Sequence, residues 1–218
     1  MATAPATAAP PLDMGLRIRL SIMMFLQFAI WGSWFVVFYP YLTGKGFTDA
    51  QAGALMGNMA LGAIISTMFA GYIADRFFSS ERMMAVMHLA GAALLYWMAQ
   101  IQSPSEYGLL FGVTLAYALL YNPTLALSNS IAFTHIPNAT RDFPGLRVLG
   151  TIGWIAAGFF IDFMFKEYAV APDGSPLLGP DGKQVMIPAS ASNGPLILAA
   201  GLSAVLGIFS LMLPKTPP

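Results

Sequence analysis

The chain has 218 residues, 57% of them hydrophobic and only 9% charged, with ten basic side chains balanced by ten acidic ones. A soluble domain carries roughly 25% charged residues, so this composition predicts a protein whose solvent is largely lipid. The neutral balance provides no basic face for a nucleic-acid partner. The absence of cysteine excludes disulfides, thiolate metal sites and cysteine nucleophiles.

Residues 1–18 open with an Ala-, Pro- and Thr-rich stretch, which predicts a disordered cytoplasmic tail. The apolar run behind it is too long for the hydrophobic part of a signal peptide, and no small-residue cleavage site closes it. We therefore expect this run to remain in the mature protein as a membrane span.

Six apolar runs follow, each near the roughly 20 residues that a helix needs to cross the hydrocarbon core. The runs are continuous, whereas the strands of a membrane barrel alternate polar and apolar residues over about 10 positions. The predicted fold class is therefore an all-α membrane protein with six transmembrane helices over 19–213. The expected spans are 20–42, 50–72, 83–101, 107–127 with an extension toward 133, 145–165 and 194–213.

The distribution of Lys and Arg predicts the orientation, because cytoplasmic loops of membrane proteins are enriched in these residues. Seven of the ten lie on the side that holds both chain ends, and Lys45, Lys166 and Lys183 lie on the other. We expect a multi-pass protein of the cell inner membrane with both termini cytoplasmic. The glycosylation sequon at Asn138 falls on the cytoplasmic side and is discounted.

The longest connection, 166–193, contains two Asp-Gly pairs flanked by prolines. Alternation around 176–185 predicts a small extracytoplasmic hairpin. A flexible loop is an equally good interpretation.

Between the second and third runs, the pattern Gly71-x-x-x-Asp75-Arg76 followed by Arg82 predicts a tight cytoplasmic turn with a charged latch. Asp75 can accept hydrogen bonds from a helix N-terminus or from an arginine. An ordinary charged loop is the alternative. The pattern resembles the signature loop of the major facilitator superfamily, although residues 77–79 depart from its basic residues.

Four segments together are similar to the bacterial nucleoside:proton symporter family of that superfamily: 25–35, 73–96, 121–133 and 143–158. The resemblance implies an N-terminal six-helix half built from two inverted three-helix repeats, with 214–218 beginning a cytoplasmic linker to a second half. It implies uptake of nucleosides by proton symport with alternating access. The expected partners are a nucleoside, the lipid bilayer and a second six-helix half, or a homodimer if the chain is a half-transporter.

Arg147, Thr151 and Trp154 are spaced i, i+4 and i+7, so they share one face of the fifth helix. A cation, a hydroxyl and an aromatic plane suit a nucleoside, but an interfacial arginine and a packing tryptophan have the same spacing. The resemblance places the family's substrate contacts on these three residues.

Gln27 and Trp31 lie one turn apart in the first span and form a second candidate face. A glutamine in hydrocarbon must face protein or water, so it either reads the base or bonds another helix. Asn122, which precedes a proline in the fourth span, predicts a polar break of the kind that lines transporter cavities. Contacts between helices would explain it equally well.

The remaining sequence patterns concern helix packing, proton coupling and enzymatic activity. Gly53 and Gly57 form a G-x-x-x-G pair that predicts a packing seam. No Asp or Glu lies in the middle of a span, so the proton-coupling carboxylate is expected in the second half, with Asp162 as a weak local candidate. No metal site or cofactor is expected, and an enzyme is improbable. Two alternatives stay open: a superfamily transporter of sugars or other polar solutes, and a non-transporting membrane scaffold or sensor.

Overall fold

A computed structural model describes residues 10–74, 79–171 and 175–217, with the backbone alone described for 67–74. These residues form six α-helices, two short strands and two 3-10 turns. The helices are α1 (Met14–Gly44), α2 (Asp49–Ala74), α3 (Ser80–Gln100), α4 (Tyr107–His135), α5 (Ala139–Phe165) and α6 (Gly194–Ser210), the strands β1 (Glu167–Tyr168) and β2 (Met186–Ile187), and the 3-10 turns Pro104–Glu106 and Ala189–Ala191.

The prediction of helices is confirmed for each apolar run within the described residues. Within the described ranges, four helices are long and apolar enough to cross a membrane, namely α1, α3, α4 with its preceding 3-10 turn, and α5, while α6 is a shorter apolar helix. At about 1.5 Å per residue, the 31 residues of α1 extend about 46 Å, which exceeds the hydrocarbon core of roughly 30 Å.

The start of α5 lies six residues before the predicted span, and a helix cap explains the difference. The side chain of Asn138 accepts a hydrogen bond from the backbone nitrogen of Arg141 at 3.0 Å. Asparagine is a favoured N-cap because its oxygen satisfies a free amide of the first turn. The asparagine of the sequon therefore serves as a helix cap.

The helices pack in pairs rather than in chain order. The most extensive contacts join α1 to α5, α3 to α6, α2 to α4, α3 to α4 and α1 to α6. One apolar core runs through the bundle, and its largest fully buried side chains include Trp34, Tyr117 and Phe38. The extensive contacts therefore link the helices in the order α5, α1, α6, α3, α4 and α2, with α3 and α6 in the middle.

The ends of the bundle are tied by polar contacts. At one end Arg17, at the start of α1, approaches Asp142 of α5 at 4.0 Å. At the other end Asn193, just before α6, donates to the backbone oxygen of Ala99 at 3.0 Å. Helices that alternate in direction place the starts of α1 and α5 on one side of a membrane, and the end of α3 and the start of α6 on the other. Each of these two pairs does meet at one end of the bundle.

The residues after α6 return to the first of these ends. Thr216, buried with 3% of its surface exposed, donates its backbone N–H to Glu81 at 2.9 Å and accepts through its backbone oxygen from Ser80 at 2.9 Å. Its hydroxyl lies 2.9 Å from His135 Nε2. The segment after α6 that was predicted to begin a linker therefore binds α3 and α4, and we call this segment the strap.

The connection between α5 and α6 contains the predicted hairpin. β1 and β2 pair antiparallel, and further bridges join Val170 to Pro176 and Leu178 to Gln184. The inner turn closes with Gly182 at a φ of 73°, a conformation that glycine adopts without steric cost.

Glycines allow α1 and α5 to approach closely. A Cβ added at Gly153 would overlap the backbone of Phe25, and one at Gly32 would overlap Trp154. The predicted seam at Gly53 and Gly57 was wrong for this bundle, because both glycines are exposed and an added Cβ would meet nothing within 4 Å among the described residues. The α2–α4 contact uses a different glycine, Gly62.

Candidate substrate site

The candidate site lies where α1 meets α5 and α4, and its deepest layer is a buried polar chain centred on Gln27. This side chain is fully buried. Its Nε2 donates to Thr124 Oγ1 at 2.7 Å, and its Oε1 lies 2.9 Å from His88 Nε2. Both polar atoms of the amide therefore have partners on other helices, which is the interhelical alternative that the sequence left open.

The same layer joins α1 to α4 a second time. The hydroxyl of Tyr121 donates to the backbone oxygen of Gln27 at 2.6 Å. Thr124 donates its own hydroxyl to the backbone oxygen of Tyr121 at 2.6 Å. Since a buried polar group is costly without a partner in hydrocarbon, these bonds fix how α1 and α4 face each other.

One turn further along α1, Trp31 lies outside the polar layer and contacts α5. Its ring stacks on Trp154 with centroids 5.4 Å apart and an angle of 16° between the planes. Trp31 is partly buried, and Trp154 keeps 38% of its surface exposed. The two predicted aromatic contacts therefore form one stacked pair with an accessible outer ring.

Arg147 lies on the same face of α5, two turns before Trp154. Its guanidinium sits over the ring of Phe28, 4.0 Å from the centroid, in the geometry of a cation–π contact. No carboxylate neutralises it among the residues that the structure describes. Its charge remains available to a polar ligand.

Thr151 and Asn122, the other two predicted substrate contacts, differ in their exposure and in their hydrogen bonds. Thr151 is exposed between Arg147 and Trp154, and its hydroxyl has no protein partner within the described ranges. Asn122 donates through Nδ2 to the backbone oxygens of Ala118 at 2.8 Å and Met59 at 3.1 Å. It therefore ties α4 to α2, and only its carboxamide oxygen can serve a ligand.

The predicted latch is described only in part. Asp75 and Arg76 lie outside the described residues, and Gly71 is described only as helical backbone. Arg82 is exposed and forms no ion pair within the described part of the chain. The role of these four residues stays a prediction.

A different charged cluster lies at the start of α5. Asp142 is buried, and Arg141 grips it with two bonds, Nε to Oδ1 at 2.9 Å and Nη2 to Oδ2 at 2.8 Å. Arg141 also donates to the backbone oxygen of Pro10 at 2.7 Å. A bidentate arginine–carboxylate pair is strong and directional, so it fixes both side chains. Arg141 then links residue Pro10 to α5, and Asp142 links α1 to α5 through Arg17.

Asp162 is an exposed residue with Lys166 four positions along at 3.8 Å. This is the arrangement of an interfacial charge, and it offers no interior proton site. No group of three His, Asp or Glu in the described part of the chain could hold a metal ion.

Sequence reasoning missed two residues of the site, Phe28 and His88. Phe28 is one aromatic residue within an apolar run, which is typical of any span, and only the packing places it beneath Arg147. His88 is isolated in the sequence, and its partners Gln27 and Ser203 lie 61 and 115 positions away. A buried histidine amid apolar neighbours is itself a signal that a polar partner must exist.

Comparison with known proteins then identifies the group to which this chain is similar. The family model described as "Nucleoside H+ symporter" matches residues 14–218. The putative nucleoside transporter YegT of Escherichia coli is 42% identical over 92% of this chain and 43% of its own length. The nucleoside permease NupG of the same organism is 33% identical over 94% of this chain and 44% of its own length.

A solved structure agrees with the sequence relatives. The crystal structure of the nucleoside transporter NupG superposes with a TM-score of 0.78 at 30% identity, covering 94% of this chain and 45% of that one. This chain spans less than half the length of the relatives it matches. The named relatives are transporters, in agreement with the prediction that the chain is not an enzyme.

Proposed function

This chain belongs to the nucleoside H+ symporter family, and we propose that it forms the N-terminal six-helix half of a transporter that takes up nucleosides with protons. The relatives are about twice as long, which supports a second half as the partner that completes the substrate cavity. On its own, half a cavity should bind a nucleoside weakly and transport nothing.

The packing of the helices supports two three-helix repeats. Exchanging α1 with α4, α2 with α5 and α3 with α6 converts the α1–α5 contact into α4–α2, and α1–α6 into α4–α3, while α3–α6 maps onto itself. All five of the most extensive contacts therefore survive the exchange. Inverted repeats with a binding site near the midplane are the usual plan of such transporters.

The charges support an inner-membrane orientation with both chain ends cytoplasmic. Arg17, Arg141 and the segment around Thr216 gather at one end of the bundle. Six of the described Lys and Arg residues belong to that end, and three belong to the other. The positive-inside rule assigns the richer end to the cytoplasm.

The single observation that carries the substrate proposal is the row of available groups on α5. Arg147 has no carboxylate partner within the described residues, Thr151 is exposed, and Trp154 presents an accessible ring braced by Trp31. A nucleoside offers hydroxyls to the cation and the threonine and a flat base to the ring, and base–aromatic stacking contributes roughly 1–3 kcal/mol. Gln27 and Asn122 are proposed to shape the floor of the cavity, because their side-chain amides already bond other groups of the bundle.

The proton-coupling group is proposed to lie in the second half. The only carboxylate that the sequence offers near a span interior is Asp162, and it is exposed beside Lys166. Coupling to a proton through a carboxylate requires that carboxylate to lie in the interior of the bundle.

Uptake of radiolabelled uridine and adenosine by the complete transporter, in cells deficient in nucleoside transport, tests the proposal. Arg147→Ala should abolish uptake while membrane expression stays normal, because the cation that holds the ribose or base is lost. Arg19→Ala is the matched control, since Arg19 is an exposed arginine outside the α1–α5 site. Unchanged uptake with Arg147→Ala would contradict the site, and absence of uptake by the wild type would contradict the function.

A further inference from the structure

The buried histidine of α3 is the partner of Gln27 in the polar layer of the site. His88 has 1% of its surface exposed, its Nε2 lies 2.9 Å from Gln27 of α1, and its Nδ1 lies 3.2 Å from Ser203 of α6. Its ring also meets Tyr121 edge-on, with centroids 6.2 Å apart and an angle of 84°. It therefore contacts every helix that surrounds it in this layer.

The direction of the hydrogen bonds around Gln27 follows from the hydroxyl of Thr124. Thr124 gives its only hydroxyl hydrogen to the backbone oxygen of Tyr121, so its oxygen must accept from Gln27 Nε2. The oxygen of the Gln27 amide then faces His88, which requires a hydrogen on Nε2 of the imidazole. His88 is thus the donor that orients the Gln27 amide. Ser203 Oγ lies 3.2 Å from the other ring nitrogen and donates its hydroxyl hydrogen to the backbone oxygen of His88 at 2.8 Å.

A continuous row of rings leads from this histidine to the exposed tryptophan. The Tyr121 ring lies next to His88 and 6.4 Å from Trp31, and Trp31 stacks on Trp154. The Tyr121 hydroxyl is bound to the backbone of Gln27, one turn before Trp31. Any rotation of α1 or α4 that breaks the polar layer would therefore shift the stacked pair.

We propose that His88 is a positioning residue of the nucleoside site: through Gln27 and Tyr121 it sets the relative rotation of α1 and α4 that holds Trp31 against Trp154. This inference rests on the proposed function for its consequence in transport, but its structural step does not. His88 does not touch the substrate. It acts through a buried layer that spans four helices.

Two substitutions separate positioning from general packing. His88→Gln keeps an N–H near the position of Nε2 and should behave like the wild type. His88→Leu fills a similar volume but leaves the Gln27 oxygen unpaired, so it should raise the KM for uridine about tenfold with expression maintained. Asn58→Leu is the matched control, because it removes another buried interhelical bond, from Asn58 to the Phe111 backbone on the α2–α4 contact.

The near-ultraviolet circular dichroism and tryptophan fluorescence of the chain in detergent, measured without nucleoside, report the environments of its four tryptophans, and the variants Trp34→Phe and Trp97→Phe confine the signal to the Trp31–Trp154 stack. His88→Leu should alter both spectra, and His88→Gln and Asn58→Leu should not. If His88→Leu does not fold, Ser203→Ala decides, since it removes the hydroxyl beside Nδ1 together with its bond to the His88 backbone oxygen and should give a smaller change in the same direction.

Wild-type spectra for His88→Leu, or for Ser203→Ala in its place, would overturn the inference, as would a lowered melting temperature with an unchanged KM. A His88→Gln variant as defective as His88→Leu would also overturn it. If the wild-type transporter takes up no nucleoside, the proposed function fails, and the spectra still decide the positioning role.

Discussion

Replacing Trp154 by alanine should weaken nucleoside transport, because it removes the accessible aromatic ring of α5. The ring is braced against Trp31 at 5.4 Å and keeps 38% of its surface exposed, so one of its faces is available to a base. Base–aromatic stacking contributes roughly 1–3 kcal/mol, which corresponds to roughly a 5- to 150-fold loss of affinity. Trp154→Phe keeps a ring and should lose roughly fivefold or less.

The assay is the KM for uridine and adenosine in the complete transporter, with membrane expression measured in parallel. Trp97→Ala is the matched control, because Trp97 is also an exposed tryptophan, 48% accessible, but lies on α3 away from the α1–α5 contact. An equal change of KM in Trp154→Ala and Trp97→Ala, or an unchanged KM in Trp154→Ala, would refute the reasoning that the ring is a stacking platform.

Two further predictions concern the bundle. Gly153→Ala should destabilise the protein by about 1–3 kcal/mol, because the new Cβ would overlap the backbone of Phe25 and push α1 away from α5. Gly158→Ala should be neutral, since a Cβ there meets nothing within 4 Å among the described residues. Equal melting temperatures of the two variants would contradict this. Glu81→Ala should leave the buried backbone N–H of Thr216 unpaired at a cost of about 1–3 kcal/mol and speed its amide hydrogen exchange. Exchange at the wild-type rate would show that the strap does not depend on this carboxylate.

Several features of the fold were predictable because they are local. A run of apolar residues long enough to cross a membrane must satisfy its backbone internally and so becomes a helix. The hairpin between α5 and α6 follows from alternation around an Asp-Gly turn, which requires only neighbouring residues. The start of α5 is also determined locally, by the N-cap at Asn138. The apolar pattern does not predict this start because the first turn of the helix is polar.

The sequence by itself also determined the chemistry available to the site, since it places a cation, a hydroxyl and an indole on one face of α5. It could not determine which polar groups remain free for a ligand. Gln27 has the same local pattern whether it reads a base or bonds a histidine, and its partners His88 and Thr124 are 61 and 97 positions away.

Only the tertiary structure decided that Gln27 bonds other groups of the bundle, that Trp31 stacks on Trp154, and that Arg147 lies over Phe28 with no carboxylate partner among the described residues. The physical reason is that helix periodicity specifies a face but not the neighbour that covers it. In a bundle whose outer surface is as apolar as its core, the neighbours are set by close backbone approach at glycines and by a few buried hydrogen bonds. Those contacts join residues that are distant in the chain.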